Sequence, residues 1–478
     1  MAFNSIAFVV FFILVLWLYW GVFSKRLGLQ NLFLLAASYL FYAWWDWRFL
    51  GLILLSSFTD YTIGIGIEQA SSKKLKKGLL LISLAVNLGI LAIFKYFNFF
   101  IAAFAECLTQ LGLQPHSPVL NVLLPVGISF YTFQTLSYTI DIYRGVIKST
   151  RTIVPFFTFV AFFPQLVAGP IERANHLLPQ FLKPRSLAYP LAVSGCRLLL
   201  WGMFKKVVIA DRLALLVDPV FGNPGDWHGP SIWLATVAFA IQIYCDFSGY
   251  SDMAIGTARL LGFDLMTNFR TPYLSASFRE FWQRWHISLS TWFRDYVYIP
   301  LGGSRVKPTR LVGNLLITFL ISGLWHGANW TFLVWGLWHG VLVSIEFLCS
   351  RQQLIKLSVS RWIAIPFVLI MTCVGWVFFR ASSIEAALLL LKNAGTFSGP
   401  TLSYLWWHAF RSLPEATGWA VMLGLFALLE FKIDKSAPEY CIDQLPRIGR
   451  WLLYYVLTAA ILFLGQYNNA PAFIYFQF

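Results

Sequence analysis

Apolar runs of about twenty residues recur along this chain, separated by short connections that carry most of its charge. Such a run crosses a ~30 Å hydrocarbon core as one helix. Inside lipid, only helices and closed barrels satisfy every backbone N–H and C=O. The runs fall near 5–23, 31–45, 49–67, 79–105, 120–140, 152–168, 189–217, 231–248, 311–325, 331–348, 362–380, 416–431 and 451–466. They predict an all-α polytopic membrane protein of roughly eleven to thirteen membrane helices. Charged residues make up 12% of the 478-residue chain, against about 25% in a soluble globular one.

The net charge of +15 is no sign of a nucleic-acid partner. Its lysines and arginines sit in the connections, as at Lys25–Arg26 and Lys73–Lys77. This is the pattern of a membrane protein with its N-terminus outside and its basic loops inside. The first run lacks a basic leader and a small-residue cleavage site, so it reads as a retained helix. Six cysteines stand singly with no C-x-x-C spacing, which suggests neither a disulfide framework nor a zinc site. G-x-S-x-G, Walker and H-E-x-x-H patterns are absent, which removes support for a soluble-type hydrolase, an ATPase or a zinc protease. No long internal repeat occurs, and this counts against a transporter built from inverted halves. Pro125, Gly127, Pro164, Gly169 and Pro170 interrupt two runs. Broken segments of this kind must be covered by protein or line a cavity.

Three histidines stand out. Gly-Leu-Trp-His-Gly occurs twice in residues 311–348, placing His326 and His339 in a long apolar stretch. Ionisable groups at such depth suggest function. As one helix the stretch would be ~52 Å long, so it must break, and Gly327-Ala328-Asn329 is the natural place. His326 then ends the first half, with Asn329 beside it as an orienting group. It could take a proton from a hydroxyl attacking an acyl carbonyl, or be a core imidazole bonded to a backbone carbonyl. His339 is ~20 Å further along a continuous helix, which predicts a separate role, and its bland reading is again a core imidazole.

Residues 268–310 do not span. On a helical wheel Phe278, Trp282, Trp285, Leu289, Trp292, Phe293 and Tyr296 share an arc of roughly 100°, with Arg279, Gln283, His286, Ser290 and Arg294 as a polar stripe beside it. This is the pattern of an interfacial helix. Its stripe either faces headgroups or turns inward, so that His286 lines a cavity mouth. Arg270, Arg279, Arg284, Arg294, Arg305, Lys307 and Arg310 concentrate positive charge here. They suit anionic lipid headgroups or the phosphates of a nucleotide-bearing donor. Asp246 and Asp252 lie six residues apart, out of alignment on a helix, and read as structural partners of nearby arginines rather than an acid/base pair. Asp60 and Asp141 predict buried polar contacts, and Glu172 and Arg173 the cap of a turn within 164–173.

These stretches together carry a resemblance. LLPVGISFYTFQTLSYTIDIYRG (123–145), FFPQLVAGPIER (162–173), GMFKKVVIADRLA (202–214), YCDFSGYSDMAIGTARLLGF (244–263), FREFWQRWHISLSTWFRDYVYIPLGG (278–303), LWHGANWTFLVWGLWHG (324–340) and VGWVFFRA (374–381) resemble the membrane-bound O-acyltransferase family. The resemblance is to its bacterial polysaccharide branch, nearest to the membrane subunits of alginate O-acetylation and more distantly to D-alanyl transferases. It covers nearly the whole chain and implies one integral membrane acyltransferase domain over 1–478. In such a fold, tilted helices ring a central tunnel, 268–310 is an interfacial segment and 311–348 holds the catalytic helices.

The resemblance also implies that His326 and His286 line the tunnel. His326 matches the family's principal catalytic histidine, and His339 a further histidine of the polysaccharide branch. Trp325 and Arg284, with His339 and Asn329, are then candidate supporting positions. The implied reaction moves an acetyl group from a cytoplasmic thioester, with acetyl-CoA as donor co-substrate and no permanently bound cofactor or metal. The acceptor is a secreted or cell-surface polysaccharide. Implied partners are membrane lipids, a periplasmic or surface SGNH-type acetyltransferase and a polysaccharide synthase complex, and the implied location is the bacterial cytoplasmic (inner) membrane. The rival expectations are D-alanyl or other acyl transfer to a cell-wall polymer, a transporter of lipid-linked sugar, and a catalytically silent scaffold.

Overall fold

The computed structural model describes residues 1–113, 120, 124–167, 169–351, 360–396, 409–410, 412–433, 442–467 and 473–474. These residues form helices joined by short connections, with no strand among them. Seven stretches of the described residues are long and apolar enough to cross a membrane. The first of them, Leu27–Gln69, is two 20-residue helices, α1 (Leu27–Asp46) and α2 (Leu50–Gln69), meeting at a single 3₁₀ turn, Trp47–Phe49. The chain is therefore an all-α, multi-pass membrane protein. The hydropathy runs outnumber these stretches because two of them, 31–45 and 49–67, fall within Leu27–Gln69, and others form shorter helices, such as Ile6–Trp17 and Ile153–Ala161.

The described residues group into two compact units, 1–195 with 257–266, and 196–256 with 267–478. In the first, α3 (Lys73–Leu91) and α4 (Ile128–Tyr143) pack with α2 around a buried polar core. Asp60 accepts hydrogen bonds from Ser83 Oγ (2.6 Å) and Asn87 Nδ2 (2.9 Å), and the Asn87 carbonyl accepts from Ser56 Oγ at 2.6 Å. Lipid gives apolar helices no hydrophobic reason to associate, so polar pairs of this kind act as helix-to-helix glue. The polar contact expected of Asp60 is thus present. In the 164–173 turn, of which Ala168 lies outside the described residues, fully buried Glu172 accepts from the Met266 backbone N–H (2.6 Å) and pairs with His176 Nδ1 at 2.7 Å.

The second unit is built on α5 (Pro230–Leu260), whose final turn belongs to the first unit. A π-helical turn, Phe204–Ala210, crosses it with all seven residues buried. The crossing needs Gly202 and Gly249, because a Cβ on either would stand 2.5–2.7 Å from the carbonyl oxygen of the other. At that spacing Lys205 meets Asp252 (2.6 Å), while Lys206 bridges Asp211 (2.7 Å) and Asp246 (2.8 Å). The two carboxylates are structural partners, as their misalignment predicts, but of lysines and not arginines. The π turn presents two consecutive ammonium groups to the α5 carboxylates.

Candidate active site

The second unit also gathers the three histidines, and it does so by breaking the expected interfacial helix. Residues 278–296 are not one amphipathic helix. They form α6 (Phe278–Arg284), an extended Trp285, His286 at φ +43°, and α7 (Ile287–Phe293). Ser277 caps α6 by accepting from Glu280 N at 3.0 Å. A left-handed backbone is uncommon for a residue with a β-carbon, and strain of this kind clusters at functional sites. Here it swings the imidazole out of the polar stripe and into the protein, where His286 is 0% exposed. The headgroup-facing reading of His286 is therefore excluded. The rest of the stripe does face a cavity: Arg279, Gln283, Ser290 and Arg294 line an open groove of about 240 Å³.

Asn268, which the sequence did not single out, holds His286. Its Oδ1 accepts from Ser288 Oγ (2.9 Å) and Ser288 N (3.4 Å), and its Nδ2 donates to Ser251 Oγ at 3.1 Å. Those partners settle which end of the amide is oxygen. His286 Nδ1 lies 3.0 Å from that same oxygen, so the neutral ring must carry its proton on Nδ1 and present Nε2 as an acceptor. Phe247 packs edge-on against the ring at 4.6 Å.

His326 ends α8 (Pro308–His326), which turns at Gly327–Asn329 into α9 (Trp330–Arg351). The break is where expected, but its consequence is not the one expected. The two helices form a tight hairpin, and a Cβ on Gly323 would meet Phe332 O at 2.2 Å, one on Gly336 Phe319 O at 2.3 Å. Folding back cancels the ~20 Å of continuous helix. Both imidazoles now pack on the Trp335 indole, His326 at 4.9 Å and His339 at 5.1 Å between ring centroids. The distance argument for separating His326 from His339 thus fails. His286 stands 6.5 Å from His326, so the three rings form one cluster, and His326 and His339 are 3% and 0% exposed.

The supporting candidates divide. Trp325 is part of the wall, 5.0 Å from His326 and 6.0 Å from His286. Asn329 serves the turn, donating to Ser382 O (3.1 Å) and accepting from Thr331 N (3.1 Å), so it is a cap and not an orienting group for His326. Arg284 pairs with Glu280 (2.8 Å) and donates to Thr271 Oγ1 at 3.1 Å. Phe379 and Trp376, from α10 (Arg361–Arg380), complete the cluster, with Phe379 5.4 Å from His326 and Trp376 6.0 Å from Trp335. The cluster offers nitrogen bases on side chains that are almost wholly buried, a setting for moving a proton while a carbonyl is attacked.

The sequence profile of the membrane-bound O-acyltransferase family matches residues 39–387. A probable alginate O-acetylase AlgI of Azotobacter vinelandii is 43% identical over 87% of this chain and 82% of its own length. Another, of Pseudomonas putida, is 39% identical over 94% of each chain. A peptidoglycan O-acetyltransferase of Helicobacter pylori is 32% identical over 100% of this chain and 96% of its own. A match of this extent, on a multi-pass helical chain whose buried histidines sit together, leaves one assignment: the chain is an O-acyltransferase and belongs to the membrane-bound O-acyltransferase family.

Proposed function

We propose that this protein is the membrane subunit of a polysaccharide O-acetylation system in a bacterial cytoplasmic (inner) membrane. It moves an acetyl group from a cytoplasmic thioester, acetyl-CoA as donor co-substrate, toward a secreted or cell-surface polysaccharide. The names of the relatives support acetyl as the group and a glycan as the destination. The observation that carries the chemistry is the His286–His326 pair, 6.5 Å apart and buried among aromatic rings.

In the proposed step an acceptor hydroxyl oxygen attacks the acetyl carbonyl. A C–O ester bond forms, the C–S bond breaks, and the hydroxyl proton passes to His326 and from there to the leaving thiolate. Asn268 fixes neutral His286 as a hydrogen-bond acceptor at Nε2, so His286 positions the reacting hydroxyl. It polarises the thioester carbonyl only as an imidazolium. A periplasmic or surface SGNH-type acetyltransferase completes the transfer beside a polysaccharide synthase complex.

The test is the O-acetyl content of secreted polysaccharide in wild type, a deletion strain and a His326→Ala strain, with protein level checked by membrane blot. The expected result is loss of acetyl ester in both mutants with the variant protein present. Unchanged acetylation in the deletion overturns the proposal, and D-alanyl ester loss in that strain assigns the wall-polymer reaction instead.

A further inference from the structure

When an acyl carbonyl is attacked, negative charge develops on its oxygen, and a hydrogen-bond donor already fixed beside that oxygen lowers the barrier. Two imidazoles of the cluster are committed to other tasks. Neutral His286 presents Nε2 as an acceptor, and His326 in the proposed step receives the hydroxyl proton. The donors that remain are the ring N–H of His339 and the indoles of Trp282, Trp325, Trp335 and Trp376. His339 turns Nε2 to the backbone of α10, where a Cβ on Gly375 would stand 2.8 Å from it.

Trp335 is placed differently. It is 0% exposed, and its Nε1 has no hydrogen-bond partner among the described residues. Buried indole N–H groups usually find a partner, and one that does not needs a reason. A phenylalanine would fill this wall without burying an unpaired donor. The indole lies edge-on to the His326 ring at 4.9 Å, so a group lodged between the two touches both. The hairpin sets this position. Gly336, next to Trp335, is where α9 meets the Phe319 carbonyl of α8, and its counterpart Gly323 lies about one turn before His326. Phe379 at 5.3 Å, Trp282 at 5.7 Å and Trp376 at 6.0 Å hold the indole on its other sides, so the donor needs no reorganisation during the reaction.

We propose that Trp335 is a catalytic residue whose Nε1–H donates a hydrogen bond to the acyl carbonyl oxygen and stabilises the oxyanion of the transfer. The inference rests on His326 as the proposed base, and not on which acyl group is moved. As the hydroxyl oxygen bonds to the carbonyl carbon, the C=O π pair moves onto the carbonyl oxygen and the hydroxyl proton passes to His326. That pair then re-forms C=O, the C–S bond breaks with its electrons on sulfur, and the proton on His326 joins the leaving thiolate. The indole keeps its hydrogen throughout. Its bond strengthens as charge develops on the oxygen, so it raises kcat more than it tightens substrate binding.

The test replaces Trp335 by benzothienylalanine, installed by amber-codon suppression, which keeps the indole outline with sulfur in place of N–H. Trp335→Phe and Trp335→His are made beside it, and benzothienylalanine is also placed at Trp325. Membrane vesicles from the deletion strain carrying each full-length variant receive acetyl-CoA at varied concentration and polysaccharide from that strain. Ester formation is scaled to folded protein measured by size exclusion. The isostere at Trp335 is expected to lower kcat about 10²–10³-fold, the loss that follows removal of one oxyanion donor, with KM within threefold of wild type. Trp335→His, which restores an N–H, is expected to be at least tenfold more active than Trp335→Phe, although phenylalanine is the better apolar filler.

An isostere at Trp335 within threefold of wild-type kcat overturns the proposal. So does Trp335→Phe matching or exceeding Trp335→His, a comparison that stands even where the isostere fails to fold. A larger loss from the isostere at Trp325 than at Trp335 moves the donor to Trp325 and also overturns it. If wild-type vesicles form no ester from acetyl-CoA, the acetyl reading fails, and the same series is scored on D-alanyl ester with D-alanyl carrier protein as donor.

Discussion

Asn268 Oδ1 lies 3.0 Å from His286 Nδ1 and accepts from both the side chain and the backbone of Ser288, so one amide sets the tautomer of the histidine. Without it the Nδ1 proton loses its acceptor, and the ring is free to present N–H where the reaction needs a lone pair. Asn268→Ala is therefore expected to lower kcat toward the ~10²–10⁴-fold that a positioned acid/base group contributes, with little change in KM. Asn268→Asp keeps an acceptor at the same place and should retain more activity than the alanine variant. Equal losses in the two variants would show that Asn268 matters only for folding.

The α8–α9 hairpin closes on glycine. A methyl group on Gly323 or Gly336 would sit 2.2–2.3 Å from a backbone carbonyl oxygen of the facing helix, and backbone cannot swing aside as a side chain can. Each Gly→Ala substitution should cost about 1–3 kcal/mol by overpacking. The double variant should lose monodisperse protein on detergent extraction. Size-exclusion profiles and thermal midpoints of the single and double variants check this.

The sequence made the class of the fold legible because lipid leaves so few solutions, and the apolar runs recur at the required length. His326 was legible as a candidate because an imidazole in apolar surroundings needs a reason, and His286 because its polar stripe could turn inward and because of the family resemblance. What bound them together was not. The reversal at His286 depends on a positive φ in a non-glycine residue, with no glycine in the flanking sequence to announce it. The helical wheel, carried through unbroken, placed His286 on a stripe that it leaves. The ~20 Å expected between His326 and His339 holds only for a continuous helix, and the turn after Gly327 folds the two halves back so that both rings reach Trp335. Asn268 lies eighteen residues from its histidine, in a connection without periodicity, and reaches it only through the three-dimensional fold.

Lys206 stands between Asp211 and Asp246, at 2.7 and 2.8 Å, with all three side chains almost wholly buried. Removing one partner of a buried ion pair leaves uncompensated charge and costs ~3–5 kcal/mol, whereas removing the whole set is often close to neutral. Lys206→Met is expected to destabilise the protein by that order, and Lys206→Met with Asp211→Asn and Asp246→Asn to recover much of it. Thermal midpoints of the two variants against wild type give the comparison. A triple variant weaker than the single one would show that the charges are needed for more than mutual neutralisation.

A pH effect follows from His176, which lies outside the membrane-spanning segments. The buried Glu172 carboxylate hydrogen-bonds its Nδ1 and raises its pKa above the ordinary histidine value, and Asp264 adds to the effect. A histidine whose folded-state pKa is raised contributes stability that is fully present below its unfolded value, about 6.5. That contribution is lost as the pH rises through the folded value. Glu172 opposes this in part, since burial raises its own pKa and makes its ionised form costlier. Because His176 is partly exposed, the contribution is screened by solvent. The expected outcome is a wild-type thermal midpoint that falls between pH 6 and pH 9, with a smaller fall in His176→Gln, which keeps a hydrogen-bond donor without the titrating charge. Parallel falls in the two proteins would assign the pH dependence to groups other than the His176–Glu172 pair.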